Sequence, residues 1–235
     1  MSAYLIPFLI VAATTGACSH ATPRASDTTS SARAATQPVS SPAAKPSPTD
    51  TISRRADRGR ILGDSTASVW LVEASDFQCP FCKQWHDAAF PSIVKDYVNT
   101  GRVRVAFLNM PLDIHQFAKQ ASEAAMCASV QDRFWPMHDS LFATQGIWER
   151  LQNPMSMFDT LANENHVEMT AWRTCMEKHL TMPLIEADYD RARAAGVGST
   201  PTFIAGGKII PGADADVRGA LDAALASKPA AKPPR

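Results

Sequence analysis

Hydrophobic and polar positions divide the chain into stretches of different texture. Met1 to Ala13 reads Met-Ser-Ala-Tyr-Leu-Ile-Pro-Phe-Leu-Ile-Val-Ala-Ala, roughly 12 apolar-rich residues, which is short for a membrane span and suits the core of a signal peptide. From Ser19 to about Asp50 the residues are Ala, Ser, Thr and Pro with scattered charge, and they bury too little apolar surface to offset the entropy of ordering them. The texture changes near Arg60. Val69 to Ser75 is a short apolar run broken by one acid, Glu73, which predicts a buried strand. After the turn at Asp76-Phe77-Gln78, apolar positions at Trp85, Phe90, Ile93, Val94 and Tyr97 follow a helical period, and Pro91 should kink or split that helix. Gly101 ends it, and Val103, Val105 and Phe107 alternate along the next strand.

Between His115 and Arg191 the pattern is helical throughout, with expected spans near 115–131, 133–144, 152–163, 169–179 and 184–194. Gly198-Ser199-Thr200-Pro201 is a turn signal. Thr202 to Ala205 and Lys208 to Ile210 then pair as a hairpin across Gly206-Gly207, and a last helix covers Asp214 to Leu225. The order predicts one discontinuous α/β domain, with halves at 58–113 and 195–226 and an all-helical insertion at 114–194. A disordered tether over 19–57, of r.m.s. reach roughly 30 Å, and a disordered tail over 227–235 flank it.

Charge adds little to this picture. Lys plus Arg and Asp plus Glu number 23 each, so no overall field draws the chain to nucleic acid or to an anionic membrane surface. The leader adds more. Thr15, Gly16 and Ala17 before Cys18 resemble a bacterial lipobox, which makes residues 1–18 a signal peptide and Cys18 the lipidated first residue of an exported protein. No Lys or Arg precedes Arg24, and Thr15 stands where a larger aliphatic is commoner; an ordinary signal with Cys18 incidental is the plainer alternative.

Cys79-Pro80-Phe81-Cys82 carries the chemistry. Two cysteines separated by two residues can close a disulfide within one helical turn, forming a reversible two-electron couple. At a helix N-terminus Cys79 would face unpaired amide N–H groups and the positive end of the dipole, which favour thiolate and mark it as the nucleophile. Pro80 suits the first helical position, and Cys82, one turn in, would be the resolving thiol. Half of a zinc site looks the same, but no second Cys-x-x-Cys or His-x-x-x-His completes one, so no metal is expected. Cys127 and Cys175 fall on insertion segments that could pack together. A structural disulfide between them would close a loop worth roughly 4 kcal/mol, and two buried free thiols are the alternative.

Several of these segments, taken in order, resemble the DsbA-like, thioredoxin-fold family of secreted disulfide oxidoreductases: Leu62-Gly63, Val72 through Cys82, Asn109-Met110-Pro111-Leu112, Ala125 to Ala128 with Phe134 to Asp139, and Gly196 to Phe203. The resemblance spans about 60–225 and implies a thioredoxin fold with an all-helical insertion. It implies that Thr200-Pro201 is a cis-proline loop beside the cysteines, offering backbone groups to an extended substrate next to Pro80 and Phe81. Glu73, six residues before Cys79, matches the buried acid under the second cysteine; its pKa should rise, allowing it to take the Cys82 proton. The strongest oxidants of the family have histidine where this chain has Phe81, so the Cys79 pKa should be lowered less and the couple should be less oxidising.

The expected activity is disulfide exchange with exported proteins, with no soluble cofactor. A membrane redox partner would reset the pair, and no obvious dimerisation domain stands ahead of the fold, which favours an oxidase over a dimeric isomerase; a monomer is expected. A non-catalytic thioredoxin-like chaperone or binding module is the rival reading. His86, one turn beyond Cys82, reads as a solvated helix histidine with a catalytic role conceivable. His115 and His138 read as caps or packing, Trp85, Trp135, Trp148 and Trp172 as core or surface aromatics, and Asp139 as structural.

Overall fold

The computed structural model describes residues 48–227; the leader, Cys18, the tether up to residue 47 and the tail from 228 lie outside them. Strands β1 (Ile61–Leu62), β2 (Val69–Ser75), β3 (Val103–Asn109), β4 (Thr202–Ala205) and β5 (Lys208–Pro211) form one sheet in the order β1-β3-β2-β4-β5. β2 and β3 are parallel, in register from Val69 opposite Val103 to Ser75 opposite Asn109. The other three pairings are antiparallel. Period-two alternation places Val69, Leu71 and Glu73 on one face of β2, all buried, while Trp70 on the other face is exposed. The β4–β5 hairpin turns at Gly206 and Gly207, whose φ values of 56° and 79° are those a two-residue turn of this hand demands.

Helix α2 (Pro80–Ala88) leaves β2 through the cysteine motif. Pro91 has no N–H to continue the ladder, so the chain breaks at Ala89 into a short helix α3 (Phe90–Ile93) and a π-helical turn over Val94–Val98. Six helices then fill the insertion: α4 (Ala118–Ser129), α5 (Phe134–Ala143), α6 (Gln145–Trp148), α7 (Met155–Glu164), α8 (Met169–Glu177) and α9 (Met182–Ala194). The closing helix α10 (Val217–Ala226) packs on the sheet, where Phe203 meets Trp85 of α2 at 4.4 Å between ring centroids. A disulfide joins Cys127 of α4 to Cys175 of α8, with Cα atoms 5.8 Å apart. The insertion core is continuous with Phe77, Cys79, Cys82 and Phe107, so the motif lies on the seam between insertion and sheet.

Three expectations need correction. Residues 48–57 do not belong to a tether: they form most of helix α1 (Pro48–Gly59). Its composition is polar, but Ala56 is completely buried, its carbonyl accepts from the Ser129 hydroxyl at 2.6 Å, and the Arg60 guanidinium that follows pairs with Asp57 and buried Asp188. Asp188 also accepts from the Asn109 side chain at 2.9 Å, so one carboxylate joins α9, β3 and the end of α1. Helix α4 begins at Ala118 rather than near His115, because the preceding segment is bonded to the cysteine motif instead. Helix α6 was not expected. Four residues carry too little periodicity to stand out, and tertiary hydrogen bonds hold it.

Candidate active site

Cys79 caps helix α2 in an extended conformation, φ −72° and ψ 123°, with Pro80 at the start of the first turn. Its sulfur therefore lies where the first backbone N–H groups have no intrahelical acceptor. Both Cys79 and Cys82 are free thiols and buried. The Cys79 thiol donates to the Thr200 carbonyl at 3.5 Å, across the cis Thr200-Pro201 bond from the other half of the domain. Cys82 Sγ accepts from the Asp76 amide, also at 3.5 Å.

The two sulfurs are driven in opposite directions. The Cys82 thiol hydrogen bond is the main influence on Cys79 and, with the Thr200 side chain and the Cys82 and Phe81 amides, it outweighs burial to lower the Cys79 pKa to about 6. Burial, above all, pushes Cys82 well up. On β2 Glu73 is completely buried and neither carboxyl oxygen has a protein hydrogen-bond partner. Burial raises it to about 7, with the nearby Ser75 hydroxyl and the His86 charge pulling only part of the way back.

Phe81 is 59% exposed and borders a shallow groove of about 540 Å³ that continues along Ser199, Thr200, Pro211 and Gly212. Thr200 thus meets the Cys79 sulfur and lines the same groove as Phe81, and the bond from Thr200 to Pro201 is cis. Pro80, also exposed, begins the helix beside them.

Several contacts were not legible in the sequence. Asp76 is fully buried and accepts from the Gln78 amide at 2.8 Å, the Leu112 amide at 2.8 Å and His115 Nδ1 at 2.7 Å. His115 is therefore neither a cap nor packing. Gln145 of α6 donates to the carbonyls of Phe77 at 2.7 Å and Cys79 at 3.0 Å, fixing the strand-to-helix turn from the insertion side. In the sequence Asp76 looked like a turn residue, and nothing local marked Gln145.

His86 is not solvated either. It lies between Asp87 at 3.0 Å and Asp139 at 3.2 Å and stacks on Phe90 and Phe142. Asp139 also meets His138 Nδ1 at 2.8 Å, and it is held far below the usual carboxylate range by these two histidines working against burial. His138 is buried among Phe77, Phe90, Phe107, Phe134 and Phe142, and burial lowers its pKa. His86, His138 and Asp139 bring one ligand atom each within 4.8 Å of the others. Their mutual hydrogen bonds already account for that closeness.

Residues 55–223 match a Thioredoxin family model. The fold superposes on the crystal structure of oxidised BdbD from Bacillus subtilis with a TM-score of 0.65, covering 72% of this chain and 94% of that one at 27% identity. The chain belongs to the DsbA-like thioredoxin-fold family. This DsbA-like chain is 28% identical over 157 residues to "Disulfide bond formation protein D" of Bacillus subtilis, covering 64% of itself and 68% of that protein. It is 33% identical over 155 residues to "Na(+)/H(+) antiporter NhaA 3" of Salinispora tropica, covering 65% of this chain but 22% of that relative, so it spans about a fifth of the antiporter's length. A structure of a point variant of alpha-DsbA1 from Wolbachia pipientis, with TM-score 0.63 and 19% identity over 71% of this chain and 90% of that one, has the same fold. Among the described residues, no helix of this DsbA-like chain is long and apolar enough to cross a membrane.

Proposed function

We propose that the chain is a thiol-disulfide oxidoreductase that exchanges disulfides with exported proteins through Cys79 and Cys82. The observation that carries this reading is the placement of the two thiols: Cys79 caps helix α2 with its sulfur 3.5 Å from the Thr200 carbonyl, and Cys82 is fully buried one turn on, an arrangement that lowers Cys79 to about 6 and raises Cys82. In the reducing direction the Cys79 thiolate attacks a substrate disulfide, forming a mixed disulfide and releasing one substrate sulfur as thiolate. Cys82 then loses its proton to Glu73 and attacks Cys79 Sγ. The Cys79–Cys82 disulfide forms and the second substrate sulfur leaves as thiolate. The oxidising direction is the same path reversed, with a substrate thiolate attacking Cys79 of the disulfide.

Glu73 suits the proton step because a carboxyl near neutrality can both accept and return a proton. Thr200 and Pro201 would present backbone to an extended substrate segment, and Phe81 and Pro80 an apolar edge. The electrons reside on sulfur, so no soluble cofactor is required, and a membrane redox partner would restore the pair. Export, a lipid anchor at Cys18 and a monomeric state complete the proposal.

Reduction of insulin and alkylation by iodoacetamide against pH test it. Wild type should reduce insulin and lose Cys79 to alkylation with a midpoint near pH 6, about where the lowered thiol titrates. Cys79→Ser should abolish turnover, and Cys82→Ser should accumulate mixed disulfide. Equal turnover by wild type and Cys79→Ser would leave only the binding-module reading. The equilibrium with glutathione then gives the direction.

A further inference from the structure

The dipeptide between the cysteines, Pro80-Phe81, carries no charge and no side-chain donor. A histidine donor reaches the residues before the motif from elsewhere. The segment between β3 and α4 is bonded to the residues immediately before Cys79 at three points: the Leu112 amide to Asp76 Oδ2 at 2.8 Å, His115 Nδ1 to the same oxygen at 2.7 Å, and the Phe117 amide to Gln78 Oε1 at 2.6 Å. Asp76 in turn accepts from the Cys79 amide at 3.1 Å through its carbonyl. The imidazole of His115 is thus anchored on Asp76, three residues before Cys79, with its side chain 16% exposed.

We propose that His115, clamped by Asp76, is a positioning residue that supplies positive charge to the Cys79 thiolate, from outside the Cys-Pro-Phe-Cys motif. The inference rests on the redox role proposed for Cys79. Asp76, which bonds His115, and Cys79 and Glu149, whose fields reach it, all carry negative charge when ionised. On its own segment Asp113 is paired with Lys119 at 3.5 Å. The Asp76 hydrogen bond, foremost, raises the His115 pKa against the opposing effect of burial, and the fields of Asp76, Cys79 and Glu149 add to it. Coupling of this kind is reciprocal: a thiolate that favours the imidazolium is favoured by it to the same extent. Oxidation removes the charge from Cys79, so the His115 pKa falls when the disulfide forms. Stabilising the thiolate stabilises the reduced pair and makes the couple more oxidising. A histidine reached through Asp76 therefore offsets part of what Phe81 withholds.

Two measurements test this. In the wild-type protein, NMR titration of His115 should give a lower pKa in the oxidised form than in the reduced form; identical values overturn the proposal. In His115→Asn the amide nitrogen replaces Nδ1 as donor to Asp76 while the charge is lost. Titration of thiolate absorbance at 240 nm should then show the Cys79 midpoint a few tenths of a pH unit above wild type, about twofold less thiolate at a given pH below the midpoint. His115→Lys should recover part of the difference. Superimposable wild-type and His115→Asn curves, both acidic, overturn the inference and leave the proposed function standing. A wild-type Cys79 that titrates like free cysteine removes both.

Discussion

Glu73 occupies a position unfavourable to a charged group, completely buried on β2 with both oxygens lacking protein partners. Its carboxyl titrates at about 7 in the folded protein and at 4.5 in the unfolded chain. The folded state therefore holds the proton more tightly, and this residue's contribution to stability is fully present below 4.5 and lost as pH rises towards 7. The gap corresponds to about 3 kcal/mol. Glu73→Gln should remove that slope: in urea unfolding of the oxidised protein, the stability of the variant relative to wild type should rise by about that amount between pH 4.5 and pH 8. A variant curve parallel to wild type would show that Glu73 is not held protonated by burial. Slower resolution of the mixed disulfide by Cys82 should accompany the change. The acid could be read in the sequence because it interrupts the apolar run Val69 to Ser75. Asp76, three residues later, looked like a turn residue, and only the arrival of Leu112 and His115 from a distant segment gives it its second set of bonds.

At the scale of elements, helix α1 shows how packing overrides composition. Gly59 is its last residue, and a Cβ there would meet the Ser129 carbonyl oxygen at 2.4 Å, against backbone that cannot move aside. Gly59→Ala should push α1 off α4, cost about 1–3 kcal/mol, and speed proteolysis around residues 48–60, with insulin reduction unchanged. Unaltered protease resistance would mean that α1 is held elsewhere. The strands, by contrast, were legible from local pattern: β2 from its apolar run, β3 from its alternation, and β4 and β5 from the Gly206-Gly207 turn. Helix α2 followed from the motif and Pro80, and its break followed from Pro91. Two-residue β1 and four-residue α6 were not legible, because elements that short have no period to detect and exist through their neighbours.

In the molecule as a whole, the insertion and the sheet are coupled at the motif. Gln145 grips the carbonyls of Phe77 and Cys79 from one side and Thr200 approaches Sγ from the other. The Cys127–Cys175 bond holds the insertion's core across a separation of 48 residues. Replacing both cysteines by Ser should cost about 4 kcal/mol through the entropy of the unfolded chain and lower the melting temperature, while the thiolate titration of Cys79 stays as in wild type. A shifted titration would mean that the insertion's stability controls the site as well. The sequence by itself determined the α/β class, the helical insertion between two sheet halves, the cysteine pair and the acid that interrupts β2, because each leaves a local signature in period, turn residues or spacing. Only the tertiary structure decided that residues 48–57 are helical, that His86 is shielded by Asp139 and a pair of aromatic rings, and that Asp76 receives His115. Those outcomes depend on which surfaces meet across 39 to 73 residues of chain, and no local pattern encodes such a meeting.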